Sequence, residues 1–459
     1  MPSYREWAET SANLPVNVRT RNGRDDRMRT SVDVAVVGAG PGGIAAAAIA
    51  AEAGLGVCLL DDNRSPGGQI WRGLGPGTTK RNPHASEFAK WSTRLGRMNC
   101  EVWTGSQVID LPGSNSLRLE RDGELHDLSY RSLVLATGAR ERFLAFPGWT
   151  LPGVTGAGGL QALVRAGLDA RGKRVVVAGT GPLLLAIAAG LKDAGATIAA
   201  IYEQAPISKL AGFGVTLLGH FGKIVEGLGY ARSLRGVAYR TGCWVKRGEG
   251  RERLERVIIT DGREEWAHDS DFLASGFHLV PNLELPLLLG CAVSEGYVTV
   301  DEFQQSSVAR VACVGEITGI GGLEKALLEG EVAGWFAAGR EEKARALSPQ
   351  MQKHRAFSRR LDRAFGLRDE LRDLCAPETI VCRCEDVAYS TLKDCTSWRG
   401  AKLHARCGMG ACQGRICGPQ TEFLFGWRYG GVRPPAFPAK LASVAAMRRT
   451  VEAQSTESL

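Results

Sequence analysis

Cys382-Arg-Cys384 and Cys412-Gln-Gly-Arg-Ile-Cys417 place two pairs of thiols 27 residues apart near the carboxyl end of a 459-residue chain. Seven of the twelve cysteines fall between Cys375 and Cys417. The others, Cys58, Cys100, Cys243, Cys291 and Cys313, stand in mostly apolar surroundings and read as small core residues. With no apolar export signal near the start, such a cluster argues for metal binding over a disulfide framework. Zinc sites commonly use a two-residue gap within each pair, whereas Cys-x₄-Cys recurs among [2Fe–2S] ligands. A diferric cluster with two sulfides and four thiolates carries a charge of about −2. Arg383, Arg406 and Arg415 stand beside the cysteines to offset it. The spacing favours Cys382, Cys384, Cys412 and Cys417 as ligands of a [2Fe–2S] cluster, with zinc or disulfides as the other readings. Cys407 has the same gap to Cys412 and competes for one of the four places. Cys375 and Cys395 read as packing residues.

Two glycine turns stand ahead of the cysteines. The apolar strand VDVAVV opens directly into Gly38-Ala-Gly40-Pro41-Gly42-Gly43, then a small-residue helix, then the strand GVCLLDD, which carries Asp61. In this strand–turn–helix setting Gly38 permits the tight turn and Gly40 lets a pyrophosphate approach the backbone. Gly43 seats the helix on the strand, and Asp61 is placed to bond a ribose. RVVVA then leads into Gly179-Thr-Gly181-Pro182-Leu-Leu184, a helix, and a strand ending at Glu203. Here the third glycine is Leu184, whose bulk is expected to hold the helix off the strand. Two readings stay open for this turn: an NAD(P) or other adenine-nucleotide site (ATP included) with Glu203 on the ribose, or a retained fold without a ligand.

The length predicts about three domains. Hydrophobic residues make up 44% and charged residues 23%, an ordinary globular composition. No apolar run approaches the roughly 18 residues of a membrane span. Residues 1–30 read as a polar extension, and the chain as cytoplasmic. The net charge of +8 is concentrated between Arg399 and Arg449, with nine Lys/Arg against Glu422. Charge alone meets only one condition for nucleic-acid binding, so no such partner is expected. Residues 340–374, with ten Lys/Arg and six acids, read as a solvated helical linker.

The expected fold class is α/β: two Rossmann-like dinucleotide-binding domains, one inserted in the other, plus a small C-terminal [2Fe–2S] domain. The partition is an FAD-binding domain at 31–150 and 270–338, an insertion at 151–269, a linker at 339–376 and a cluster domain at 377–450. No Cys-x-x-Cys adjoins either glycine turn, and no HExxH or Ser/His/Asp constellation appears. His278 and His404 read as structural. The chain therefore has carriers for electrons without an evident substrate base.

Further stretches carry a resemblance. Ser65-Pro-Gly67-Gly68-Gln69-Ile-Trp71-Arg72 resembles the loop beside the flavin in two-dinucleotide-binding-domain flavoproteins. LVLATGARER, holding Thr137 and Gly138, resembles their ATG strand. VACVGEITGIGG, with Gly315, Glu316 and Gly322, resembles their late Gly-Asp motif, with glutamate in place of aspartate. The resemblance implies FAD, a contact from Glu316 to the ribityl chain, and a helix starting near Gly322 with its amides towards the flavin.

CRCEDV, RCGMGACQGRICGP and GEITGIGGLEKALLEGEVAG, together with PGGQIWR, resemble the A (α) subunits of bacterial opine oxidases. The B subunit of hydrogen cyanide synthase and the α subunits of dye-linked proline and hydroxyproline dehydrogenases are similar. This type has a pyridine nucleotide-disulfide oxidoreductase fold with a BFD-like [2Fe–2S] domain, and the likeness spans roughly residues 31–445. It implies an electron-transfer subunit of a hetero-oligomeric amine or amino-acid dehydrogenase, carrying FAD and a [2Fe–2S] cluster. An amino-acid-oxidase-like β subunit would oxidise the substrate, and a respiratory or dye acceptor would take the electrons. Peripheral docking at the inner membrane and a small third subunit are compatible with this division of labour. The alternative is a self-sufficient NAD(P)H-dependent reductase with hydride entering at the Gly179 turn; Leu184 tilts against it.

Overall fold

A computed structural model describes residues 30–72, 84–217, 219, 221–428 and 431–447. The expected extension at 1–30 lies, except for its last residue, outside the described residues, as does the end of the chain beyond 447. The chain divides into two compact units. One holds residues up to Ala139, Pro281–Ala356 and the stretch from Gly431; the other holds Arg140–Val280 and Phe357–Gly430.

The first unit begins with β1 (Ser31–Val37), α1 (Pro41–Glu52) and β2 (Val57–Asp61), a parallel βαβ unit. α2 (Ala85–Gly96) leads to β3 (Cys100–Thr104), parallel to β2. β4 (Ser106–Gly113), β5 (Ser116–Arg121) and β6 (Glu124–Leu135) form an antiparallel meander. The second half of β6 returns parallel to β1, giving the order β3-β2-β1-β6-β5-β4. Val34, Val36, Leu59 and Leu60 are fully buried, as strands covered on both faces require.

The second unit repeats the theme. β7 (Val154–Gly156), α3 (Ala157–Arg165), β8 (Arg174–Thr180), α4 (Leu183–Asp193), β9 (Thr197–Glu203), α5 (Ile207–Leu217), α6 (Phe221–Ser233) and β10 (Ala238–Thr241) follow in order. β11 (Trp244–Glu249), β12 (Arg256–Thr260) and β13 (Glu265–Asp269) form a separate antiparallel sheet before β14 (Phe272–Phe277). The parallel sheet has the order β10-β9-β8-β14-β7. The chain then returns to the first unit. There β15 (Val311–Cys313) pairs with β6, and α7 (Leu323–Ala337) packs along α1. α8 (Glu341–Ala346) and α9 (Ser348–Ala364) precede the cysteine segment. That segment consists of the β16 (Ile380–Cys382) and β17 (Val387–Ala388) pair, α10 (Trp398–Ala405) and α11 (Cys417–Phe425).

Two packing features position the functional residues. In the first unit α1 and α7 lie in near contact, because the residues between them are glycine and alanine. A Cβ on Gly330 would stand 2.2 Å from the Gly42 carbonyl oxygen, and one on Gly334 2.8 Å from that of Ala46. Contacts advance along both helices together, from Gly42 beside Ala326 to Ile49 beside Gly334, so the helices are parallel with adjacent N-termini.

In the second unit Leu144, Phe146 and Trp149 join Val176 and Tyr202 of the sheet to Val381, Leu392 and Trp398 of the cysteine segment in one apolar core. Trp149 Nε1 donates to the Ile380 carbonyl at 2.5 Å. The Cys375 thiol donates to the Ala145 carbonyl at 3.3 Å. The cysteines are therefore seated on the sheet's own core. The expected solvated linker buries Met351, Phe357, Leu361, Ala364 and Phe365. Its helical spacing was legible, whereas its high charge concealed this apolar stripe.

The basic stretch also divides: Arg399–Arg428 belongs to the second unit, and Arg433 and Lys440 to the first. Among the described residues no helix is long and apolar enough to cross a membrane.

Gly330→Val tests the helix contact. Forcing a side chain into this interface is expected to cost on the order of 1–3 kcal/mol, read as a lower midpoint in chemical denaturation. An unchanged midpoint would show that the helices are not held at glycine distance.

Candidate redox site

The glycines of the first turn divide by purpose. Gly38 has φ of +104°, and a Cβ there would lie 2.2 Å from the Ala136 carbonyl oxygen. A Cβ on Gly43 would lie 1.8 Å from the Gly38 oxygen. Both are demanded by the protein's own packing. Gly40 is different: the nearest atom to its Cβ position is the Gly68 Cα at 3.9 Å. The chain leaves that space open, which is what close approach of a pyrophosphate requires.

The Gly67-Gly68-Gln69 loop lies across the turn. Gly67 N donates to the Ala39 carbonyl at 2.7 Å, and a Cβ on Gly68 would meet the Gly40 Cα at 2.8 Å. Pro41 starts α1, and Gly42 packs on Val314 and Ala326. Asp61 is 5% exposed; its carboxylate accepts from Ala39 N at 2.6 Å and Asn63 N at 2.7 Å. Thr137 Oγ1 donates to the Asn282 carbonyl at 2.8 Å, and Gly138, at φ +66°, has open space beside it. Two adjacent helix N-termini, an open glycine and a carboxylate at the end of β2 fit a dinucleotide.

At the late motif Gly315 N donates to Glu329 Oε2 at 2.7 Å. Glu316 bends back onto the start of α7, accepting from Gly321 N at 3.0 Å and Gly322 N at 2.9 Å. Burial raises its pKa, while Lys325 opposes the shift. The expected helix begins after Gly322, its N-cap. The carboxylate thus holds the two glycine amides just ahead of the helix, those of Gly321 and the N-cap Gly322.

Sequence reading missed the pair beneath. Lys325 Nζ lies 2.8 Å from Glu329 Oε1, and the two side chains are only 2% and 0% exposed. Lys325 also donates to the Gly315 carbonyl at 3.0 Å and Thr318 Oγ1 at 2.9 Å. The available signal was a Lys/Glu pair four residues apart in a largely apolar helix that also carries Glu324 and Glu331.

The second turn has the same division. Gly179, at φ +151°, would put a Cβ 1.9 Å from the Gly276 oxygen, whereas Gly181 has nothing within 4 Å. Leu184 does not hold α4 off the sheet as expected. Gly276 makes room for it, since a Cβ there would lie 3.1 Å from Leu184 Cδ2, and Ala157 lies alongside. Pro182 is exposed beside the turn. Glu203 is fully buried, its oxygens accepting from Gly181 N at 2.7 Å and Ala205 N at 2.8 Å. Burial raises its pKa.

His278 ends the β14 region with φ of +72°, and its Nε2 lies 3.4 Å from Asp362 Oδ1. Burial lowers the imidazole's pKa and favours the neutral ring. His404 is exposed on α10.

The cysteine pairs meet around a cavity of about 350 Å³ lined by Cys382, Arg383, Cys384, Cys412, Ile416 and Cys417. Cys382 and Cys417 are buried and Cys384 is exposed, so the cavity has a closed floor and an open edge. A Cβ on Gly410 would meet the Cys384 Cβ at 2.3 Å, so only glycine lets the two loops come together. Gly408 N donates to Cys382 Sγ at 3.5 Å. The Cys382 thiol is held far below the usual range, because Cys407 and Cys417 donate to it.

The sulfurs of Cys382, Cys407 and Cys417 also lie within 4.8 Å of one another. That compact trio suits a single ion. Cys407 is fully buried and does not line the cavity, so the larger space belongs to the other four thiols. Their chemistry and room are compatible with an iron–sulfur cluster.

Of the three arginines expected to offset cluster charge, Arg406 is instead paired with Glu385 at 2.7 Å. Arg415 donates to the Cys412 carbonyl at 3.1 Å, and Arg383 stands over the Trp149 ring at 5.4 Å.

The family description "pyridine nucleotide-disulphide oxidoreductase" matches residues 32–339, which hold both glycine turns. The chain belongs to this family. It is an oxidoreductase of a flavoprotein family, and the first turn is built to suit FAD. The opine oxidase A subunit of Rhizobium meliloti (strain 1021) is 32% identical, the match covering 90% of this chain and 98% of that one. Hydrogen cyanide synthase subunit HcnB of Pseudomonas protegens is 29% identical over 84% of this chain and 90% of its own length. Among solved structures, L-proline dehydrogenase from P. horikoshii has a TM-score of 0.65 at 20% identity, covering 91% of this chain and 80% of that one. Thioredoxin reductase of T. acidophilum has a TM-score of 0.53 at 20% identity, covering 68% of this chain and 99% of that one. These two structures share the fold.

Gly40→Ala should separate folding from flavin binding, since the chain itself leaves room for a Cβ there and a closely approaching pyrophosphate does not. Purified protein is expected to keep its far-ultraviolet circular dichroism and lose most of its flavin absorbance. Full flavin content in this variant would remove the assignment of the turn.

Proposed function

We propose that this chain is the FAD- and [2Fe–2S]-containing electron-transfer subunit of a hetero-oligomeric dehydrogenase that oxidises an amine or amino acid. The four-thiol cavity carries this reading. A cluster moves electrons singly, so its presence in a chain with a flavin-type fold suits a relay between a two-electron donor and a one-electron carrier. Cys382, Cys384, Cys412 and Cys417 are the proposed ligands, with Cys407 behind them. Gly38, Gly40, Pro41, Gly42, Gly43 and Asp61 are the proposed seat of the adenine and pyrophosphate end of FAD. Gly68, Gln69, Thr137, Gly138, Gly315, Glu316 and Gly322 line its continuation.

The relatives' names supply the partner class. Subunits of an opine oxidase and a hydrogen cyanide synthase act with other chains, and a partner resembling an amino-acid oxidase would perform the C–N bond chemistry here. Any docking at the inner membrane would come through that assembly.

The open position at Gly181 favours keeping a second reading, an NAD(P)H-dependent reductase using Gly179, Gly181, Pro182 and Glu203. Glu203 does not separate the two readings, because both its oxygens accept from backbone amides just as those of Asp61 do.

The ligand choice is tested with two single variants measured for iron and by electron paramagnetic resonance after reduction. Cys412→Ser is expected to lose most of about two irons per chain and the cluster signal while keeping FAD. Cys407→Ser is expected to keep both. The reverse pattern would move the ligand set to the compact trio.

A further inference from the structure

A second cavity, of about 400 Å³, opens beside the cluster site and is lined by Thr396, Ser397, Trp398, Arg399, Gly426, Trp427 and Arg428. Its lining contains two guanidinium groups, two indoles and no acid. Arg399 and Arg428 are exposed, and among the described residues neither forms an ion pair with an acid. The indoles are fixed: Trp398 is 7% and Trp427 8% exposed. Trp427 stacks on Phe425 with ring centroids 4.4 Å apart, and Phe425 on Tyr389 at 5.5 Å.

The floor of this cavity touches the cysteine loop. A Cβ on Gly408 would lie 2.5 Å from Trp398 Cη2, so the glycine and the indole are in direct contact. The same glycine's amide is the donor to Cys382 Sγ at 3.5 Å. Cys382, Gly408 and Trp398 thus form an unbroken line of contacts from a proposed cluster ligand to the cavity wall. The open edge at Cys384 faces the other cavity, so this is a separate way out.

We propose that this cavity binds a planar aromatic anion, of the quinone or quinone-like dye class, that receives the chain's electrons. The arginines supply attraction to an anion or an electron-rich oxygen, and the two nearly buried indoles a rigid apolar margin beside them. Two electrons passed singly, with two protons from water, convert one quinone to one hydroquinone. The electrons originate in the amine oxidised upstream. The inference rests on the cluster reading above for the electron step, whereas binding itself requires only the cavity.

Anthraquinone-2,6-disulfonate is a suitable probe, titrated calorimetrically into the full-length chain at low salt. Saturable binding is expected, at least tenfold weaker in Arg399→Glu/Arg428→Glu and weaker in the parent at high salt. Cys412→Ser should bind the probe as the parent does, so loss of the cluster does not obscure the result. In stopped-flow reoxidation of dithionite-reduced protein, the double variant should react at least tenfold more slowly with this anion. It should not slow with cationic hexaammineruthenium(III). Absence of saturable binding in the parent would overturn the proposal. So would equal binding and equal reoxidation by the anionic quinone in the charge-reversed variant. Should folding of the double variant fail, Arg399→Gln with unchanged circular dichroism decides the same point through a smaller loss of affinity.

Discussion

The burial of Trp149 between a parallel sheet and a cysteine-bearing segment ties the chemistry of the second unit to its fold. Its ring is 2% exposed, and its indole nitrogen donates to the backbone shortly before Cys382. A buried tryptophan contributes a large apolar contact and one directional hydrogen bond. The polar tip therefore fixes where β16 lies, while the ring fixes it against the sheet. Arg383, between the first two thiols, stands over the other side of this arrangement. The cysteines consequently inherit the rigidity of a Rossmann sheet. Without that support, four thiols on glycine-rich loops would be free to close into disulfides or collapse around Cys407.

The first unit depends on a comparable constraint, expressed through small residues. Gly42, Gly330 and Gly334 bring α1 and α7 close enough for their N-termini to lie side by side. The combined field favours an anion at the glycine turn. The buried Lys325–Glu329 pair holds the late loop from below. Removing one partner of such a pair leaves an uncompensated buried charge, which typically costs about 3–5 kcal/mol. Neither feature concerns flavin chemistry directly. Both set the shape into which a flavin nucleotide fits.

The two glycine turns, their parallel strands and the thiol pairs were legible because each depends on local pattern: a short apolar run, a glycine spacing, a cysteine spacing. What escaped sequence reading depends on contacts between distant residues. Leu184 looked obstructive until Gly276, on another strand, proved to supply its space. The hold of Glu316 on Gly321 and Gly322 follows from loop geometry and has no local sequence signature. Arg406 looked like a counter-charge for the cluster, and its pairing with Glu385 was hidden by 21 residues of separation. The charged stretch before the cysteines concealed buried positions, because helical residues on opposite faces are interleaved in sequence.

On the proposed reading, this chain carries electrons supplied by another protein and not by a nicotinamide nucleotide. The direct test is an anaerobic visible-absorption titration of the purified chain, first with NADH, then NADPH, then dithionite. Flavin and cluster bands are expected to remain oxidised through both nucleotides and to bleach with dithionite. Bleaching at near-stoichiometric NADH or NADPH would contradict that reading and make the Gly179 turn the point of electron entry.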